Sequence, residues 1–420
     1  MRSLASAPAH VELTALRPDR NVAIGGRQVA VAPVAGPPNA TDLVRGRRPG
    51  TLQDFADFVR LSQAFEVIHV LAPCVEPQDV PDEFRHLEMA HAQLTLSDKF
   101  PFVYSRGTPQ VMDCFRMLQI AHGIDESQFT ERVYTWTNVN TNSPRQLDVP
   151  MAQGIIDFAA ANQLTVVTPF TLAGAMAPIT LPGALVLAHA EALAGITLAQ
   201  IVRAGAPVVY GGFTSNVDMR SGSPAFGTPE YVKACFGAGQ LARRAGLPWR
   251  SSNVTGSNLA DEQATYESAM SLWGALLGGC NLLIHGAGWL EGGLAASFEK
   301  FVLDVEMLQA MAETFQPIAV SDAEIGLDAI AEVPPGGHFM AVPHTLERYR
   351  SAFYAPLVSD WRNIGQWQED GAKSAARRAC EIWQRTLAEF ESPARDPAVV
   401  EALQDFVSRR RREGGALPES

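Results

Sequence analysis

The chain has 420 residues, which is enough for two to three average domains or one barrel-sized domain with additions. Apolar residues make up 47% and charged residues 19%, a balance that excludes bulk disorder. Lys and Arg number 33 against 45 Asp and Glu, a net charge of −12, and residues 409–412 form the one compact basic run, so a nucleic-acid partner is not expected.

In chain order, residues 22–29 carry the Gly25-Gly26 pair between two β-prone runs and predict a hairpin. Eight short apolar or β-branched runs follow, centred on Val31, Val67, Phe102, Tyr134, Val166, Val208, Arg250 and Leu283, at intervals of about 32 to 42 residues. Helix signals fill the gaps. Residues 51–54 have the form of a capping box. Further helices are predicted over 82–94, 108–121, 151–161, 183–204, 228–245, 261–277 and 297–315. Strands alternating with helices, most of them continuously apolar, predict a parallel sheet buried on both faces. Eight such units predict a (β/α)8 TIM barrel over 28–316, preceded by an N-terminal segment over 1–27. Beyond it, helical patterns over 369–392 and 396–412 predict a helical C-terminal extension over 317–420.

From Phe158 to Ala188 there is no charged residue, but Pro169, Pro178 and Pro182 interrupt the stretch. A buried strand, a loop and a helix starting near Pro182 fit better than a membrane span. The five cysteines (Cys74, Cys114, Cys235, Cys280, Cys380) are scattered and contain no Cys-x-x-Cys, so free thiols in a reducing compartment are expected. The first residues lack the apolar core of a signal peptide. A cytoplasmic protein is the expectation, with self-association left open.

Barrel active sites lie at the C-terminal ends of the strands. Those ends are rich in Asn, Thr, Ser and aromatic residues and hold no lysine, which argues against Schiff-base chemistry. No His-x-His or compact His/Asp cluster is present, so no metal site is predicted. The segment His285-Gly-Ala-Gly-Trp289-Leu-Glu291 is the most distinctive. Its small residues allow close backbone approach to a ligand, and its Trp could hold a quaternary ammonium by cation–π attraction with Glu291 as counter-charge. Equally, Trp289 could be core and Glu291 a helix cap. Tyr210 and Phe213 are cage walls or packing. Asn138 and Asn140 alternate at a strand end, where they bind a carboxylate or cofactor edge or satisfy loop backbone. Asp218 and Arg220 are a binding loop or a surface ion pair.

Several segments together resemble the trimethylamine methyltransferase family, whose pyrrolysine-free members include glycine betaine methyltransferases. They are residues 36–51 (GPPNATDLVRGRRPGT), 214–230 (TSNVDMRSGSPAFGTPE), 261–264 (DEQA), 285–293 (HGAGWLEGG), 336–339 with 344–345, 353–354 and 367–371. The resemblance covers about residues 20 to 390. It implies a (β/α)8 barrel that demethylates a methylated amine and passes the methyl to the Co(I) of a corrinoid carried by a separate protein. No cofactor would be held tightly by this chain. Two departures matter. The chain has only the twenty standard residue types, which favours an already quaternary substrate such as a betaine over free trimethylamine. It also has fewer residues than usual before Gly36, as a truncated or late start would give.

Within that resemblance, Trp289, Tyr210 and Phe213 would hold the N-methyl groups and Glu291 would balance the cation. Asn138, Asn140 or Arg220 would bind a carboxylate, and His285 would contact substrate or corrinoid. Direct transfer to tetrahydrofolate and a non-catalytic amine-binding barrel are the alternatives.

Overall fold

A computed structural model describes residues 3–419 as an α/β fold. Seven of its strands, here β1–β7, position the site. They are β1 (Ala30–Val31), β2 (Trp136–Thr141), β3 (Leu164–Ala173), β4 (Val208–Gly211), β5 (Phe213–Val217), β6 (Trp249–Ser252) and β7 (Leu282–Ile284). All pair in parallel. β2 lies on β3 in register from Trp136↔Leu164 to Thr141↔Pro169. β3 continues onto β4, β4 onto β6, β6 onto β7 and β7 onto β1. The far half of β3 carries β5, with Phe170 opposite Phe213. The two remaining runs enter by single contacts. Val70 bridges Phe100, Phe102 bridges Trp136, and the Val31 carbonyl accepts from the amides of His69 and Val70. Each of the eight predicted runs therefore takes part in parallel pairing. The run around Arg250 does so despite its polar sequence.

Side chains alternate across these strands. Trp136, Val166, Val209, Leu282 and Ile284 meet one another and Val11, Leu13 and Ile24 on one face. Val167, Val208, Tyr210, Trp249 and Leu283 face the helices. Helix starts follow local chemistry: Thr51 and Asp54 form the predicted capping box, and Thr228, Asp261 and Ser297 accept from the amides three residues on.

The helix Leu181–Val202 is long and apolar enough to cross a membrane, the one such helix among the described residues. Ala184, Ala188, Ala192, Ile196 and Ala199 form one buried stripe along it, with Ala192, Ile196 and Ala199 joining the same core as Val167. That stripe is the packing of a helix in an α/β layer.

One expectation is corrected. Val22–Ile24 does not fold back on residues 27–29 as a strand. It pairs antiparallel with Val11–Leu13, and the Gly25-Gly26 turn closes only a bridge to Gln28. The reason is burial: Val11, Leu13 and Ile24 together fill the end of the strand interior opposite the site. Past residue 316 the described elements are helices, of which Ala375–Ala388 and Pro397–Arg412 are the longest. Trp383 returns to the main body, its Nε1 donating to Glu299 Oε1 at 2.9 Å.

Candidate active site

A cavity of about 390 Å³ opens where the parallel strands end. Several strands contribute side chains whose parity points inward: Asn138 and Asn140 from β2, Thr168 and Phe170 from β3, Phe213 from β5, Arg250 from β6 and Ile284 from β7. The segment after β7 contributes His285 and Trp289, and Phe102, Trp136 and Tyr104 complete the wall.

The His285–Trp289 segment is held in a conformation that few residue types adopt. His285 has φ 60°, Gly288 99° and Glu291 54°. Several hydrogen bonds fix it, three of them as follows. The Gly288 amide donates to Asp304 Oδ2 at 2.9 Å, Asn253 Nδ2 donates to the Gly286 carbonyl at 3.0 Å, and the Val34 amide donates to the Ala287 carbonyl at 2.8 Å. Gly293 is required by contact: a Cβ there would sit 2.5 Å from the Trp289 ring. Trp289 Nε1 donates to the Thr255 carbonyl at 3.2 Å, so one ring edge is anchored while the ring borders the cavity.

The aromatic groups form one cluster. His285 and Trp289 have centroids 4.1 Å apart, Phe213 lies 6.2 Å from Trp289 near perpendicular, and Phe170 stacks on Phe213 at 5.0 Å. Among the described residues no Asp or Glu lines the cavity. At its rim, Arg106 lies 4.1 Å over the Tyr104 ring and is paired with Glu76.

His285 is buried, with Nδ1 3.1 Å from Ser252 Oγ. Burial, reinforced by the Arg250 charge, pulls its imidazole well below the usual range, so it is neutral at physiological pH. The unfolded chain takes up a proton below about 6.5 that the folded chain refuses, so His285 makes stability fall as pH drops below that value. His122, pulled down to about 4 mainly by burial, acts in the same direction. Melting temperatures from pH 8 to 5 are expected to decline below pH 6.5, and Asn in place of His285 is expected to flatten that decline. An unchanged slope in the variant would remove His285 as a cause.

Arg250 is the unexpected member. It is 2% exposed, and its Nε and Nη1 find no hydrogen-bond partner among the described residues. Its guanidinium lies 5.2 Å from the Phe213 centroid, and burial pulls its pKa down to about 10.

Of the predicted site residues, the cavity brings together His285, Trp289, Phe213, Asn138 and Asn140. Asn138 donates to Asn140 Oδ1 at 2.8 Å and accepts from Thr168 Oγ1 at 2.7 Å, leaving exposed Asn140 at the mouth. Three residues go elsewhere. Tyr210 as a cage wall is corrected: it points to the helix layer, its hydroxyl 3.1 Å from His189 Nδ1, because its parity on β4 is opposite to that of Val209. Arg220 is corrected as a carboxylate ligand. It sits in an exposed turn closed by Asp218, which accepts from the Arg220 and Ser221 amides. Glu291 is corrected as a counter-charge within the cavity. It turns outward and accepts from Arg47 Nε at 2.9 Å.

Arg250 and Phe170 were missed, and the available signal for Arg250 was a lone charge inside a strand expected to be buried on both faces. Among the described residues no group of three His, Cys, Asp or Glu side chains is placed to hold a metal ion.

Comparison with known proteins gives four findings. A family model described as trimethylamine methyltransferase (MTTB) matches residues 1–415. A glycine betaine methyltransferase of Desulfitobacterium hafniense (strain Y51) is 35% identical over 414 residues, covering 98% of this chain and 86% of that one. Trimethylamine methyltransferase MttB of D. hafniense (strain DSM 10664 / DCB-2) is 27% identical, covering 98% and 83%. Among solved structures, the monomethylamine methyltransferase MtmB of Methanosarcina barkeri superposes with a TM-score of 0.53 at 11% identity, covering 94% of this chain and 80% of that one, a likeness of fold.

Proposed function

We propose a reaction from one premise: the chain belongs to the trimethylamine methyltransferase family. It is a methyltransferase of methylated amines. We read its substrate as a quaternary amine such as a betaine, and its methyl acceptor as the Co(I) of a corrinoid carried by a separate protein. The parallel strand order and the two single-residue bridges support reading the sheet as a closed (β/α)8 barrel with a helical extension past residue 316. The buried free cysteines support a cytoplasmic setting.

The observation that carries the reading is the acid-free cavity walled by Phe213, Trp289, Phe170 and neutral His285. The faces of Phe213, Trp289 and Phe170 attract a quaternary ammonium, whose nitrogen has no proton for a base to remove. Reduced corrinoid, the second substrate, supplies an electron pair on cobalt. That pair forms the new bond to carbon, the C–N pair returns to nitrogen, and a tertiary amine leaves. No proton transfer is needed. The protein's part is to hold the ammonium so that one methyl faces the mouth, where Asn138 and Asn140 present amide groups to whatever closes it. A positively charged nitrogen is the leaving group in its best state, so exclusion of water and orientation are what remain for the chain to provide.

The test is absorbance. Purified protein mixed with a Co(I) corrinoid protein and a panel of methylated amines should form methyl-Co(III) with glycine betaine and not with trimethylamine. Formation with trimethylamine alone would overturn the quaternary reading. Turnover of glycine betaine with tetrahydrofolate and no corrinoid would replace the acceptor.

A further inference from the structure

We propose that Arg250 is a carboxylate anchor, which makes the cavity selective for zwitterionic betaines over bare quaternary cations. The inference rests on the methylated-amine reading above and adds to it the residue that decides substrate class.

A buried arginine in a structural role is almost always paired, because removing its five N–H donors from water without acceptors is costly. The other buried or half-buried cations near this end of the fold obey that rule. Arg106 and Arg85 share Glu76, and Lys300 is paired with Asp304. Arg250 does not. Among the described residues its Nε and Nη1 lack acceptors, and no Asp or Glu lines the cavity. The titratable groups that face it from neighbouring elements are Tyr231, Cys235, Cys280 and His285, none of which is an anion at neutral pH, since burial raises the first three and keeps His285 neutral.

An incoming carboxylate supplies what is missing. A guanidinium binds it with two parallel N–H···O bonds in a fixed fork. The same guanidinium lies 5.2 Å from the Phe213 centroid, so an anion held on Arg250 places a neighbouring ammonium beside the aromatic cluster. A bare cation such as choline or tetramethylammonium would instead meet an unscreened like charge. The arrangement thus separates substrates by charge rather than by size.

The strand explains how the residue is held. Alternation on β6 sends Arg250 and Ser252 inward, Ser252 to His285 Nδ1, while Trp249 and Ser251 pack among the helices. Ser252 and Arg250 therefore act on the same cavity from one rigid element.

The test uses the full chain with Arg250→Gln, Arg250→Lys and Arg250→Met. Glycine betaine and tetramethylammonium are the probes, with calorimetric binding in the absence of corrinoid and methyl-Co(III) formation in its presence. Arg250→Gln is expected to weaken glycine betaine binding and raise its KM by at least about 30-fold, the usual scale for removing one partner of a buried charge pair. Tetramethylammonium binding is expected to stay level or tighten. Arg250→Lys should recover part of the loss, keeping the charge without the fork. Arg250→Met should not lower the melting temperature, because it removes an unpaired buried charge, so lost binding cannot be assigned to unfolding. Glycine betaine affinity within threefold of the parent in Arg250→Gln overturns the anchor while leaving the methyltransferase reading intact. A parent protein that transfers methyl from tetramethylammonium but neither binds nor uses glycine betaine overturns the anchor as well. A parent that binds glycine betaine through Arg250 but transfers no methyl from any amine overturns the activity and keeps the anchor.

Discussion

Asp304→Ala is expected to destabilise the folded chain by about 3–5 kcal/mol, the scale measured when one partner of a buried ion pair is removed. Lys300 and Asp304 are each 1% exposed, one helical turn apart on Phe298–Thr314. Lys300 Nζ donates to Asp304 Oδ1 and, at 2.7 Å, to Ser268 Oγ. The second Asp304 oxygen accepts from the Gly288 amide at 2.9 Å. Burial raises the Asp304 carboxyl, against the pull of Lys300 and of that amide. Alanine leaves a buried ammonium without its anion and a left-handed glycine without its acceptor. Lys300→Met combined with Asp304→Asn removes both charges and keeps a carbonyl for Gly288. This double variant is expected to be more stable than Asp304→Ala alone. Urea unfolding of the three proteins decides it, and a single variant within 1 kcal/mol of the parent would show that the pair contributes little. Because the same carboxylate fixes the segment carrying His285 and Trp289, the expected loss falls on the site as well as on the fold.

Trp289→Ala is expected to raise the KM for a quaternary amine about tenfold or more while leaving kcat within about threefold, on the cation–π scale of roughly 1–2 kcal/mol for a desolvated ring. The split follows from charge. The substrate nitrogen is positive in the ground state, and its charge falls as the methyl leaves with only its carbon bonded to the acceptor. A ring that holds the cation therefore strengthens substrate binding more than the transition state. Trp289→Phe keeps a ring in place and loses the Nε1 bond to Thr255, so its KM should stay within a few-fold of the parent. Truncation to alanine also opens a cavity against Phe213, Phe226 and His285, with an expected stability loss of about 3–5 kcal/mol. Kinetics belong at a temperature where melting curves show the variant folded. A drop in kcat with unchanged KM would assign Trp289 to orienting the methyl rather than to holding the charge.

Much of this is legible in the sequence, for reasons that are local. The capping box at Thr51 and the caps at Asp261 and Ser297 form between residues three apart, so sequence spacing is sufficient to see them. Strands buried on both faces must be apolar throughout, so β3, β4 and β7 stand out as runs. The segment from His285 to Gly293 is conspicuous because its glycines serve backbone angles and close contacts that other residues do not tolerate. Family membership follows from such segments taken together.

What the tertiary structure decided is direction and partnership. Tyr210 and Phe213 look alike in the sequence, yet strand parity sends the first to His189 and the second to the cavity. Glu291 belongs to the distinctive segment, but its partner Arg47 lies 244 positions away, and only the fold brings that guanidinium within reach. Arg250 is the reverse case. In sequence it is the one charge in a polar run, and no local rule says whether a buried charge will find an anion. That depends on every surface the fold places around it, and here the surfaces are aromatic. The sequence alone determined several helix starts and which family the chain belongs to, because those depend on neighbours along the chain, whereas the predicted helix over 369–392 is cut back to Ala375–Ala388. Which side chains share the cavity, and which of them is left unpaired there, depends on contacts between residues far apart in sequence, and those only folding sets.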